Sequence, residues 1–155
     1  MQITFLWLGK SKYKSYTELE SMYAKRLKHY CRHEILGLKE IKQKGDPTEI
    51  KKKEAELFLS QIADSDYVVL LDERGKSMSS MGLSTWLQKR MNAATNRVVF
   101  IIGGSFGVDQ SLFDRANYTW SLSELTMTHD MARLLLLEQI YRGYTILRGE
   151  KYHNE

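Results

Sequence analysis

Residues 97–109 read Arg97-Val98-Val99-Phe100-Ile101-Ile102-Gly103-Gly104-Ser105-Phe106-Gly107-Val108-Asp109. The apolar run Val98–Ile102 has no polar alternation, so it reads as a strand covered on both faces, as in a parallel sheet. It ends in a glycine cluster and then enters a helix start at Asp109. In open α/β sheets, ligands bind where strand carboxyl ends meet such turns. Glycines there let the backbone approach a ligand and take positive φ. The spacing is G-G-x-x-G after a late strand, not the G-x-G-x-x-G of a dinucleotide fingerprint. The same residues also suit a tight strand-to-helix turn with no ligand.

Outward from this stretch, strand and helix alternate along the chain, the pattern of an α/β fold. Ile3–Leu8 is apolar nearly throughout, and Ser15-Tyr16-Thr17-Glu18 has the form of a capping box opening a helix. His33–Ile41 reads as a second strand. Asp46-Pro47 starts a helix expected to run to about Ile62. Tyr67–Asp72 is a buried strand, and Asp72-Glu73-Arg74-Gly75-Lys76 is expected to be a charged loop at its end. Leu83, Trp86, Leu87 and Met91 mark a helix. Asp109–Ala116 is a short helix, Tyr118–Leu122 a short strand, and Asp130–Leu147 the last helix. The polar stretch Lys42-Gln43-Lys44-Gly45 is too short for an interdomain linker, so residues 1–155 form a single domain.

Composition excludes several classes. With 43% hydrophobic and 27% charged residues and one proline, the 155-residue chain is neither disordered nor built on Pro-rich linkers. The single Cys31 excludes a disulfide scaffold. No apolar run approaches bilayer length, and the first residues read as a strand instead of a signal peptide, so a cytoplasmic protein is expected. His29, His33, His129, His153 and Cys31 have no zinc spacing, so no metal is expected. Gly75-Lys76-Ser77 imitates the end of a P-loop, but the first glycine of that motif would fall on Leu70. No G-x-S-x-G nucleophile elbow occurs. The net charge of +4 is uneven: residues 1–60 hold 13 Lys+Arg against 8 Asp+Glu, so the excess lies entirely in the amino-terminal part. That bias fits either a polyanion such as RNA or a solubilising surface.

Three further segments carry candidate chemistry. Trp120-Ser121-Leu122-Ser123-Glu124-Leu125-Thr126-Met127-Thr128-His129 is hydroxyl-rich and leads into the last helix. Its Ser and Thr residues suit helix capping, and its backbone suits main-chain hydrogen bonds to an adenine. The last helix carries Leu134–Leu137, apolar on more than one face, as a core or subunit-interface helix requires. Within it Glu138 and Arg142 stand at i, i+4 and can pair. The tail Arg148–Glu155 contains Tyr152 and His153, where fraying is the default.

Taken together, Ile102-Gly103-Gly104-Ser105-x-Gly107, Trp120-Ser121-Leu122-Ser123-x-Leu125-Thr126-x-x-His129, and Tyr141-Arg142 with Tyr152-His153 resemble the RlmH family. These are SPOUT-class pseudouridine N3-methyltransferases of the large ribosomal subunit. Gly9-Lys10 after the first strand also matches, and the resemblance covers the whole chain. It implies a SPOUT-type α/β fold, a largely parallel sheet flanked by helices with a carboxyl-terminal deep trefoil knot. It implies a homodimer that methylates N3 of a pseudouridine in 23S ribosomal RNA, using S-adenosyl-L-methionine. On the matching positions, the cofactor pocket would use Leu71, Gly103 and the loop Leu122, Ser123, Glu124, Leu125, Thr126 and Met127. His129, Arg133, Glu138, Arg142, Tyr152 and His153 would form the catalytic neighbourhood, the tail of one subunit approaching the other's pocket. Tyr152 and His153 would position the base and assist removal of its N3 proton, and Arg133 or Arg142 would offset charge on its carbonyl. Thr128 stands where many members have proline, and Asn154 replaces a basic residue found in some. Lys10, Lys12, Lys14, Lys25, Arg26 and Lys28 would face RNA phosphates. Two competing readings are a non-catalytic ribosome-assembly factor on the same fold and a nucleotide- or NAD-dependent enzyme.

Overall fold

The computed structural model describes residues 1–41 and 45–153. The expected connection at Lys42–Lys44 and the substitution at Asn154 lie outside the described residues. Ten elements follow one another: β1 (Gln2–Leu8), α1 (Lys14–Leu27), β2 (Arg32–Leu38), α2 (Pro47–Leu59), β3 (Tyr67–Ser77), α3 (Ser80–Asn92), β4 (Arg97–Ile102), α4 (Gln110–Arg115), β5 (Tyr118–Ser121) and α5 (His129–Leu147). The strands form one sheet in the order β2-β1-β4-β3-β5, and every pairing is parallel.

The continuous apolar strands are the central ones. Ile3–Leu8 of β1 and Val98–Ile102 of β4 are buried throughout. Alternate residues feed two cores. Phe5, Trp7, Val69, Phe100 and Ile102 pack with Leu27 of α1, Leu83 and Leu87 of α3, and Leu136, Leu137 and Ile140 of α5. Leu6, Leu8, Val68, Leu70, Val99 and Ile101 pack with Ala55 and Phe58 of α2 and Leu112 of α4. Helices α1, α3 and α5 therefore cover one face, and α2 and α4 the other.

This division positions the site. The chain leaves β4 toward α4 on one face, while its neighbours β1 and β3 lead to α1 and α3 on the other. Loops diverge on both sides of β4, and crevices open at the carboxyl ends where they part.

Several expected boundaries shift. Helix α1 begins at Lys14 with Tyr13 as its cap residue and no side-chain cap bond, so Ser15 lies inside the first turn and the capping box does not form. Asp46 does precede α2 with Pro47 at the first helical position, but its carboxylate makes no cap bond, and α2 ends at Leu59, short of Ile62. Strand β2 ends at Leu38. The expected loop Asp72–Lys76 is instead part of β3, which bulges between Leu71 and Lys76 and resumes pairing as Lys76↔Trp120 and Ser77↔Ser121. Thr128 does cap α5, accepting from Met131 N–H at 3.3 Å. No described helix is long and apolar enough to cross a membrane, and no group of three or more His, Cys, Asp or Glu among the described residues is placed to hold a metal.

Candidate functional site

The turn after β4 is built by its glycines. Gly107 N–H donates to the Gly104 carbonyl at 3.1 Å, and Gly107 has φ +86°, a conformation that favours glycine. A Cβ on Gly103 would lie 2.6 Å from Val108 Cγ2, so the turn folds this tightly only because Gly103 has no side chain.

Above this turn lies a cavity of about 490 Å³, within the usual range for small-molecule sites. The carboxyl ends of β3, β4 and β5 supply Leu71, Ile102, Gly103 and Trp120, and the following loop supplies Leu122, Ser123, Leu125, Thr126 and Met127. His129 and Ala132 of α5 close it. Of the residues expected around a cofactor, Glu124 alone does not line the cavity; it is exposed to solvent. The loop is braced by its own hydroxyls. Ser121 Oγ donates to the Ser123 carbonyl at 2.9 Å, and Ser123 Oγ accepts from Leu125 N–H at 2.9 Å. The main-chain groups of Glu124, Thr126 and Met127 bond to no other main chain among the described residues. The indole N–H of Trp120 is buried without a partner there. The lining thus offers an apolar floor and uncommitted hydrogen-bonding groups at its rim, the donor set that an adenosyl ligand requires.

The charged stretch of β3 also lines the cavity through Asp72, Glu73 and Arg74. Arg74 donates to both oxygens of Asp72, at 2.8 and 3.1 Å, which holds that carboxyl below its ordinary range. The sequence marks this stretch as a strand-end site, although as a loop.

The expected catalytic residues fall into three places. His129 lines the cavity, and burial, followed by the nearby Arg133 charge, holds its imidazole below its usual pKa. Arg133 is buried, 4% exposed, and does not line this cavity. It donates to the Leu8 carbonyl, lies 3.5 Å from Asp130 and stacks its guanidinium over Trp7, which ties α5 to the end of β1.

Glu138, Arg142, Tyr152 and His153 form a separate cluster, none of them lining the cavity. Arg142 Nε donates to Glu138 Oε1 at 3.0 Å, as the i, i+4 spacing predicts. Tyr152 Oη donates to the same oxygen at 3.1 Å and lies 3.3 Å from Tyr23 Oη. Arg142 Nη1 is 3.2 Å from His153 Nδ1. The Tyr152 ring stands edge-on to Tyr141 at 4.8 Å and beneath the Arg142 guanidinium at 4.9 Å. The tail as far as His153 is therefore docked on α5, contrary to the fraying expected of a polar terminus. Burial and its hydrogen bond with Tyr23 push the Tyr152 phenol well above its ordinary pKa. It is a hydrogen-bond donor at neutral pH.

Among the expected RNA-facing residues, Lys10 and Lys12 line a neighbouring cavity, Lys14 pairs with Glu18 at 3.5 Å, and Arg26 lies over Tyr23 and Tyr141. Lys25 and Lys28 are exposed.

The family model described as "Predicted SPOUT methyltransferase" matches residues 1–153. The chain is 42% identical over 156 residues to the ribosomal RNA large subunit methyltransferase H of Christiangramia forsetii, covering 99% of both chains. The proteins of the same name from Flavobacterium johnsoniae and Syntrophotalea carbinolica are each 41% identical, over 100% and 99% of both chains respectively. Because these matches run nearly end to end in both partners, the chain belongs to the SPOUT methyltransferase family.

Proposed function

We propose that this protein transfers a methyl group from S-adenosyl-L-methionine to N3 of a pseudouridine in 23S ribosomal RNA of the large subunit, acting in the cytoplasm. The carrying observation is the cavity at the ends of β3, β4 and β5, whose lining includes Leu71, Gly103, Leu122, Ser123, Leu125, Thr126 and Met127. The names of the full-length relatives supply the substrate class.

The bound donor supplies an electrophilic methyl on a positively charged sulfur. The apolar ends of β3 and β4 would hold its adenosyl part, and the main chain of the loop from Leu122 to Met127 would hydrogen-bond its base. The protein's contribution is alignment of the nucleophile with the methyl carbon and exclusion of water.

Tyr152, His153, Glu138 and Arg142 lie outside the cavity of their own chain. They reach a reacting base only if the tail of one subunit faces the pocket of another, so the reading includes a homodimer. Helix α5 offers a surface for it: Met131 is 47% exposed, and Leu134 and Leu135 are only half-buried. The trefoil knot of the family belongs to the same proposal. In the dimer, the Tyr152 phenol and the Arg142 guanidinium donate to the base and its carbonyls, and Glu138 orients both.

Calorimetry with S-adenosylmethionine and methyl transfer to purified large ribosomal subunits test the reading. Binding of the donor and modification of one pseudouridine are expected. Tyr152→Phe and His153→Ala are each expected to lower the transfer rate by about ten- to a hundredfold, with donor affinity unchanged. RNA binding without donor binding would favour the non-catalytic assembly factor. Full transfer rates in both variants would remove the tail from the site.

A further inference from the structure

A second cavity, of about 210 Å³, lies across the Gly103 turn from the first. It opens at the carboxyl end of β1, and its charged lining comes from four places. Lys10 and Lys12 follow β1, Glu40 follows β2, Glu54 belongs to α2, and His129, Asp130 and Arg133 belong to α5. The two cavities share walls: Gly103, Gly104, Ser105 and His129 line both.

Glu54 is the unusual member. It lies on the buried face of α2 between Ile50 and Phe58 and is 5% exposed. Its Oε2 is buried with no hydrogen-bond partner among the described residues, and no ion pair among them includes it. A buried carboxyl without a partner is costly and rare. The carboxyl lies directly against the shared wall, since a Cβ on Gly104 would stand 2.2 Å from Oε2. Gly104 is thus a glycine that leaves room for this carboxylate, beside the turn that borders the donor cavity.

We propose that the second cavity takes the target base and that the Glu54 carboxylate accepts the proton from its N3. The inference rests on the methyl-transfer reading above. In-line displacement needs the nucleophile in a space adjoining the donor's, and the shared wall provides that adjacency. An imide N3–H lies between two carbonyls, which gain negative charge as the proton leaves. Lys10, Lys12 and Arg133 are the cations in this cavity's own lining that can offset it. The N3 proton passes to the Glu54 carboxylate, and the electron pair left on N3 forms the bond to the methyl carbon. The methyl–sulfur bond breaks with its pair retained on sulfur, and Glu54 then releases its proton to water. Burial, reinforced by the Glu40 charge, pushes the Glu54 carboxyl above its ordinary pKa, which brings its basicity closer to neutral pH. His129 is shifted the other way, below its ordinary value, chiefly by burial.

Glu54→Gln keeps the shape of the side chain and removes its charge. With large subunits as substrate and saturating S-adenosylmethionine, its transfer rate is expected to fall about 10²- to 10⁴-fold. Donor affinity by calorimetry is expected to stay at the wild-type value. The wild-type rate should fall on the acid side of its pH profile, and that limb should be missing in Glu54→Gln while Glu40, Asp130, His129, Lys10, Lys12 and Arg133 remain. Glu54→Asp keeps the charge at shorter reach, so it should retain the limb at a reduced rate. A Glu54→Gln rate within a few-fold of wild type overturns the inference. So does a loss of donor affinity that accounts for the lost rate, or an acid limb missing from Glu54→Asp. Wild-type protein that methylates no ribosomal subunit overturns the parent reading first, before any variant is compared.

Discussion

Asp66 shows how a single carboxylate joins parts of the sheet that sequence spacing keeps apart. It is 6% exposed, accepts from Ala63 N–H at 2.7 Å and pairs with Arg97 at the start of β4. The Arg97 hydrogen bonds, above all, hold the Asp66 carboxyl below the ordinary aspartate value of 3.8, against the opposing effect of burial. A depressed folded-state pKa gives stability that is fully present above the unfolded value and is lost as pH falls through the folded one. Asp66→Asn is therefore expected to lower unfolding stability at pH 7 by about 1–3 kcal/mol, the range for hydrogen bonds to charged groups. The gap from wild type should narrow as pH falls below about 4. Urea unfolding at pH 7 and at successively lower pH measures both. At this scale the sequence was partly legible. Glu138–Arg142 follows from i, i+4 spacing, and Gly103 from its place after a buried strand. Glu54 was not marked, because an acid on a helix that also carries Glu49 and Glu56 reads as one more surface charge. Nor was its cavity, because Lys10, Glu40 and Arg133 come from distant segments.

Among the elements, β3 departs most from the periodic reading. Asp72–Lys76 has the composition of a loop, yet it is held within β3 between the flanking pairs Leu71↔Trp120 and Lys76↔Trp120 with β5. Tertiary context overrides local propensity in this way. The approach of the two strands is close: a Cβ on Gly75 would lie 2.7 Å from the carbonyl carbon and oxygen of Thr119 and 2.8 Å from that carbon of Trp120. These are backbone atoms and cannot rotate away. Gly75 has no positive φ, so alanine suits its conformation and the clash acts alone. Gly75→Ala should lower stability by about 1–3 kcal/mol, as overpacking does. Because Trp120 forms a wall of the larger cavity, the same variant should bind S-adenosylmethionine more weakly. Equal donor affinity in calorimetry would separate this strand contact from the cavity. The central strands were easier to read because burial on both faces leaves a continuous apolar run.

At the scale of the whole molecule, the cavities and the Tyr152 cluster occupy different regions of one chain. The larger cavity is bounded by strand ends and the start of α5, whereas Tyr152 and His153 dock beside Glu138 and Arg142 further along that helix. Sequence alone did not show that the tail docks, since the docking rests on Tyr23 and Tyr141, far away or unremarkable in spacing. If a working site takes its cavity from one subunit and its tail from another, the two halves can be disabled separately. Gly103→Val would fill the turn against Val108, where even a Cβ meets Cγ2 at 2.6 Å, and should abolish donor binding. Tyr152→Phe leaves the cavity lining intact. Each variant alone should transfer methyl groups poorly. In a closed two-fold dimer the two sites are equivalent, so a mixed dimer places both lesions in one site and leaves the other with an intact cavity and an intact tail. Co-expressing the two variants with different tags and isolating the doubly tagged species should therefore restore methyl transfer to large subunits, to about half the wild-type rate per dimer. A mixed dimer as inactive as its parents would mean that cavity and tail act within the same chain, and a protein that stays monomeric in light scattering would rule out the composite site directly.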